Sequence, residues 1–410
     1  MPDRQKPTIR ILGKPIRFAD GEAPPPLVKI GGKERLTMPS PAEAAAQRIG
    51  EGAGRSARGA DRPGLTIEIG SPGDDGTFPV TAASKLLPGK TVRTQFTVPF
   101  TEKYQADVID RLQGSVRRSS EEPVAVPAEP DGNHPNSDVT IEVLGQRLFH
   151  ALFKDGLEQM YADTVESATS LFPISLVCAD ESVCRLPWEF MHDGRVFVCT
   201  NIGPLFRVLP DAPPTAPEGQ LFEPLRLLMV ATNPIGTIAL GWHKEVETVS
   251  RLVQGSKIEM RVVHSIDEFK GALTTWRPHV VHFIGHGSRN ELRMENDAGY
   301  GIKVGRALGG LMLNLELPPR LILLNACDSG GLAAELVRSR IPMAVGMQFE
   351  ITDPAAQAFA KGFYEYACAG LPLHKATAWG RLTILTDLGE PTREWATPIV
   401  YVNPKKVDLT

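Results

Sequence analysis

Cysteine is scarce in this chain. Its 410 residues hold five, at positions 178, 184, 199, 327 and 368. An odd, thinly spread set implies no disulfide framework, and reduced thiols point to a cytoplasmic setting. No CxxC pair recurs, so no structural zinc site is indicated. No apolar run nears the ~20 residues that span a bilayer. The opening stretch, MPDRQKPTIRILGKPIRF, lacks the apolar core and cleavage site of a secretory signal. Basic charge is not in excess: 44 Lys and Arg stand against 48 Asp and Glu, a net charge of −4. That balance argues against a general nucleic-acid binder. A Walker-type phosphate loop and a GxSxG nucleophile elbow are both missing. The expectation is a soluble protein with no membrane partner and no nucleic acid bound directly.

The patterning divides the chain. Residues 1–64 are rich in Pro, Gly, Ala and charge, as in GEAPPPLVKIGGKERL and GEGAGRSARGADRPG, and are expected to be a flexible leader without a core. Residues 65–210 are expected to form an N-terminal accessory α/β lobe. In it LTIEIG and TVRTQFTVPF alternate like half-buried strands, EKYQADVIDRLQGSV has helical character, and Leu148, Leu152, Leu157 and Met160 are spaced as on a helix. The proline-bearing stretch 117–137 is expected to be a linker inside this lobe, and 211–224 a second, Pro-rich linker.

From 225 to 410 the alternation is regular. Strands are expected at LRLLMVAT (225–232), IEMRVV (258–263), HVVHFI (279–284), RLILLN (320–325), PMAVGM (342–347) and PIVYV (398–402). Helices are expected at 243–254, after an N-cap at Ser265, at GLAAELVRS, and near 353–369 and 372–387. ELRMENDAGYGIKV has the look of a hairpin. Strands that are apolar without clean alternation, separated by helices, imply an α/β fold: a mainly parallel sheet sandwiched by helices.

Two strand ends carry reactive side chains. His286 lies two residues beyond Ile284, and Cys327 two residues beyond Asn325. In a parallel α/β sheet such residues gather beyond the carboxyl ends of the strands. If the two strands are neighbours, about 4.8 Å apart, a thiol and an imidazole share one edge. Gly285 and Gly287 flank the imidazole and leave the backbone accessible. The N–H groups of Gly287 and Cys327 are candidates for an oxyanion hole. DSGG and a helix follow Cys327, and a thiol near a helix N-terminus and beside an imidazole is expected to have its thiolate favoured. Asp328 is also a candidate N-cap for that helix.

Each feature has a plainer explanation. Cysteine is often a buried, inert residue, and Cys178, Cys199 and Cys368 fit that role. The spacing of His279, His282 and His286 suggests a metal, but on a strand the first two point to opposite faces. No metal or cofactor is expected, and His282 is assigned to the core or to support of the site. LPWEF (186–190) is taken as a packing anchor, with Trp188 buried and Glu189 paired or exposed.

VVHFIGHG and LILLNACDSGG resemble the His and Cys motifs of CHAT-type peptidases, caspase-like cysteine proteases of the clan that holds separase and the caspases. LPWEFMHDGRVF, LRLLMVATNP, HKEVETV and AVGMQFEITDPAAQAFAKGFYEYACAGLPLHKATAWGR resemble other parts of that family, over roughly residues 65–390. The resemblance implies Cys327 as nucleophile and His286 as general base and acid. It implies that Asp353 lies near the pocket for the residue before the scissile bond, where it would favour Arg or Lys. Glu350 is the competing acid, and a helix cap is the plain role for Asp353. The resemblance also implies a protein substrate, an activating protein partner, and a role in bacterial defence or cell death. The alternative is a catalytically silent caspase-like scaffold; a nucleotide-binding domain at the same strand edge is the weaker third possibility.

Overall fold

The run LRLLMVA is apolar on both faces and becomes a strand buried along its last five residues. The same holds for VVHFI, LILLN, MAVGM and PIVYV, each buried throughout. Strands of this kind need cover on both sides. The computed structural model describes residues 64–101, 141–169, 171–213, 224–288, 290–369, 373–389 and 393–404, and the backbone of short strand segments within 10–36 and 126–139. The leader expected at 1–64, the helix expected at EKYQADVIDRLQGSV and the linkers lie wholly or largely outside the described residues.

The strands are β1 Leu65–Ile69, β2 Phe78–Ser84, β3 Thr91–Phe96, β4 Ile174–Cys178, β5 Leu205–Val208, β6 Leu225–Ala231, β7 Ile258–Val263 and β8 Val280–Ile284. After them come a small sheet of β9 Gly287–Ser288, β10 Glu291–Glu295 and β11 Gly301–Val304, then β12 Leu321–Asn325, β13 Met343–Met347 and β14 Pro398–Val402. The helices of more than one turn are α1 Ile141–Leu152, α2 Leu157–Ser167, α3 Trp242–Val253, α4 Ile266–Thr275, α5 Arg306–Leu313, α6 Gly330–Arg338, α7 Asp353–Cys368 and α8 Leu373–Leu388. None of the described helices is long and apolar enough to cross a membrane.

One 11-stranded sheet runs in the order β7-β6-β8-β12-β13-β14-β5-β4-β1-β2-β3. The first five strands are mutually parallel. β14 pairs antiparallel with β13 but parallel with β5, and β5, β4 and β1 continue in its direction. The sheet therefore holds two parallel blocks of opposite sense, joined at β13–β14. The expected α/β class and mainly parallel sheet are what the structure has, and residues 65–208 extend the same sheet. A single apolar core runs from Leu65 to Val402 beneath both blocks.

Local signals explain the helix ends. Ser265 and Glu268 form a capping box at the start of α4. The helical spacing over 141–167 is interrupted, however, because Asp155 and Gly156 take left-handed backbone (φ 49° and 93°), which stops α1 and starts α2. Strand alternation sorts the faces. Val281 and Phe283 share the lining of one small apolar cavity with Phe269 of α4 and Leu308 of α5, while His282 between them meets Glu245 of α3 and Tyr364 of α7.

The join between the blocks is held by buried charge. Glu189, fully buried beside the buried Trp188, pairs with the buried Arg207 of β5. Gln348, at the end of β13, donates to the same carboxylate at 3.1 Å. Arg207 also donates to the Cys184 carbonyl at 2.6 Å. Removing one partner would leave a charge buried without its counter-ion. Glu189→Ala is therefore expected to cost about 3–5 kcal/mol in urea unfolding, and the isosteric Glu189→Gln less.

Candidate active site

Parallel pairing of β8 with β12 sets Ile284 opposite Asn325, so both strands end at one level. The expected neighbouring strands are present, and His286 and Cys327 leave the same edge. The two loops are laced together. Asn290 N–H donates to the Asp328 carbonyl at 3.2 Å. A Cβ on Gly287 would lie 2.4 Å from the Cys327 carbonyl oxygen, and one on Gly285 would lie 2.6 Å from Thr232 Oγ1. The glycines therefore admit neighbouring protein groups at this edge. The turn after β12 is braced from below: the buried Ser329 hydroxyl donates to the Ala326 carbonyl at 2.7 Å and accepts from Met347 N–H at 3.0 Å.

Asp328 is not the N-cap expected for α6. Ser329 occupies that position, and Asp328 has left-handed backbone, φ 52°. Asp353 is likewise not a cap. Thr352 holds that position and accepts from Ala355 N–H, with Asp353 the first helical residue. The Asp353 carboxylate instead accepts from Gly241 N–H at 2.5 Å, and Gln357, one turn on, donates to the Gly241 carbonyl at 3.2 Å. Together they pin the end of the loop between β6 and α3.

That loop carries a group the sequence did not signal. His286 Nε2 is 2.8 Å from the Ile238 carbonyl oxygen. A carbonyl only accepts, so Nε2 is the donor in this contact and Nδ1 is the ring nitrogen left for another partner. Ile238 contributes only its backbone, and its side chain is 82% exposed; no residue-type pattern could mark it.

Cys327 is half-buried. Its thiol is bracketed by the Ile351 backbone, donating to the carbonyl at 3.6 Å and accepting from the N–H at 3.5 Å. Burial pushes its pKa up, and the Glu350 and Asp328 carboxylates push the same way, against the pull of the Ile351 N–H. This direction runs against the expectation of a favoured thiolate, and burial is its largest cause.

His286, Cys327 and Asp353 line one small open cleft, with Leu240, Trp242 and Ile351 among its walls. Glu350 is not among the lining residues and reaches the site through its charge on Cys327. The cleft is floored by a polar network in which His282 takes the supporting place expected of it, while Glu245, Asn325 and Tyr364 carried no signal in the sequence. Glu245 Oε1 is 3.0 Å from His282 Nε2 and accepts from Asn325 Nδ2 at 2.6 Å, while His282 Nδ1 meets Tyr364 Oη at 3.2 Å. His279 stands apart and accepts at Nδ1 from Arg226 N–H at 2.9 Å. Cys178, Cys184 and Cys199 are buried, and Cys368 is partly so.

A thiol held protonated reacts slowly with alkylating agents. Iodoacetamide is expected to modify Cys327 in the free protein more slowly than free cysteine at pH 8. The rate should still climb above pH 9, as followed by peptide mapping of that residue.

A profile of the CHAT domain matches residues 142–402. Among curated proteins none matches. Of solved structures, the chain is similar to gingipain R, an Arg-specific cysteine proteinase, at 14% identity and a TM-score of 0.40, covering 74% of this chain and 76% of that one. It is similar to the Porphyromonas gingivalis RgpB complex of pro- and mature domains at 13% identity and a TM-score of 0.41, covering 74% and 77%. It is similar to the Saccharomyces cerevisiae separase–securin complex at 12% identity and a TM-score of 0.46, covering 83% of this chain but 30% of that one. With the profile spanning well over half of its length, the chain belongs to the CHAT domain family.

Proposed function

We propose that this protein is a cysteine endopeptidase in which Cys327 attacks and His286 moves the proton. The observation that carries this is the pairing of β8 with β12, which brings both residues to one cleft. The Nε2 bond to Ile238 supports the assignment of roles, since it leaves Nδ1 as the base. A raised thiol pKa favours general-base chemistry over a resting ion pair. Nδ1 takes the thiol proton as sulfur bonds to the peptide carbonyl carbon. The resulting oxyanion is met by the N–H groups of Gly287 and Cys327. The imidazolium then protonates the leaving amine, and water hydrolyses the thioester in a second round.

The substrate is a protein cut after a basic residue. Acidic groups support this preference: Asp353 lines the cleft, and Glu350 acts on Cys327. The setting proposed is cytoplasmic, in bacterial defence or cell death, with a further protein as activator. A catalytically silent scaffold is the second reading, and it predicts full biological activity from Cys327→Ala.

Cys327→Ala is expected to abolish cleavage, and His286→Ala to lower kcat by about 10²–10⁴-fold, each with unchanged circular dichroism. Gly287→Ala should be nearly as damaging, since its Cβ would push into the Cys327 carbonyl at 2.4 Å. A panel of reporters ending in Arg, Lys or Asp tests the pocket, and a preference for Asp would refute the basic assignment.

A further inference from the structure

The other face of the sheet holds a second, larger cavity of about 390 Å³, a size that suits a small-molecule ligand. The active cleft draws on α3 and α7, whereas this cavity draws on α5, α6, β5 and β14, where the two strand blocks meet. The two share no lining residue. Nothing in the chemistry proposed above uses the cavity.

Its donors converge. Arg306, the first residue of α5, and Gly330 and Gly331, the first two of α6, line it. Both helices start without a side-chain cap: Gly305 has none to offer, and the Ser329 hydroxyl is spent on Ala326 and Met347. First-turn N–H groups left in this way, at the positive end of a helix dipole, favour an anion. A further donor comes from Arg207 of β5, which lines the cavity and is 1% exposed. Its Nη1 goes to the Cys184 carbonyl and its Nη2 to Glu189 and Gln348. Its Nε is buried with no hydrogen-bond partner. Orphaned buried donors are rare in folded proteins and call for an acceptor.

The charges agree. Arg185 and Arg338 bring the guanidinium groups in the lining to four, against the three carboxylates of Glu181, Asp328 and Glu335. Glu181 is held by Arg185 at 2.6 Å, and Asp328 has a partner of its own. At Cys184, in the same wall, the thiol pKa is lowered, first by a hydrogen bond with Cys178 and then by the charges of Arg207 and Arg338. Phe349, Ile399 and Tyr401 give the cavity an apolar and aromatic side that a bare inorganic ion would leave unused.

We infer that this cavity binds a small organic phosphate. Its phosphoryl group sits between the openings of α5 and α6 and the guanidinium groups of Arg207 and Arg306, and its organic body lies against Phe349, Ile399 and Tyr401. The inference stands whether or not the cleft on the other face is catalytic, but it has a consequence there. α6 opens three residues after Cys327. A dianion seated at that opening takes up the positive helix end and disfavours the Cys327 thiolate.

Calorimetric titration of the full chain with phenyl phosphate reads the site directly. Saturable one-to-one binding is expected, weakened about 10-fold or more in Arg306→Ala, because a charged hydrogen bond is lost. Arg306 is exposed, so the variant is expected to fold. Arg251→Ala removes an exposed arginine of α3, on the opposite face, and should bind as the wild type does. Absence of saturable binding overturns the proposal, and so does equal weakening in the two variants or none in Arg306→Ala. Benzoate and inorganic phosphate are each expected to bind about 10-fold or more less tightly than phenyl phosphate. Benzoate binding as tightly overturns the phosphate, and inorganic phosphate binding as tightly overturns the organic body. With the site saturated by phenyl phosphate, iodoacetamide should modify Cys327 more slowly than in the free protein, and Arg306→Ala should lose that protection at the same concentration. An unchanged rate in the saturated wild type overturns the link to Cys327.

Discussion

The site depends on one constraint: two parallel strands that stop at the same level. The pairing of Ile284 with Asn325 makes every later contact at this edge possible. Beyond that rung the two strands no longer pair with each other, and small residues let the two loops lace together. A shift of one residue in register would turn His282 and its network toward the opposite face. The site thus inherits its precision from backbone hydrogen bonds in a buried sheet, which are among the least deformable parts of a domain.

Around this rung the polar groups are arranged in tiers. His286 is steered by a carbonyl from the β6–α3 loop, and that loop is pinned in turn by Asp353 and Gln357 of α7. The residue before Ala326, Asn325, is held by Glu245, whose other neighbour is His282. Farther along the sheet, Glu189, Arg207 and Gln348 clamp the two strand blocks. Gln348 lies three residues before Ile351, whose backbone brackets the Cys327 thiol. The join between the blocks and the environment of the thiol are therefore neighbours along one short segment.

Much of this was legible in the residues. Apolar runs of five or six, separated by helical stretches, marked the parallel strands from β6 to β13. The positions of His286 and Cys327 relative to those runs marked the edge. The hairpin at 291–304 and the cap at Ser265 carried their usual turn and capping chemistry. Strand direction was not legible, because a period of two is the same in either sense; only packing shows that β14 runs against β13. Asp328 and Asp353 look like caps because both stand near helix starts. A cap, however, is a matter of which oxygen reaches which N–H, and at each helix the position falls to a neighbour, Ser329 or Thr352.

By itself the sequence determined the class of fold, the order of its main strands and helices and the strand ends that carry His286 and Cys327, since periodicity and residue type are properties of neighbours along the chain. The tertiary structure alone decided the charge environment of Cys327, the carbonyl that orients His286, the true partner of Asp353 and the unpaired donor of Arg207. Each of these is set by groups tens of residues distant, brought within a few ångströms by the sheet, and burial there alters the energies of charge and hydrogen bonding in ways no local pattern encodes.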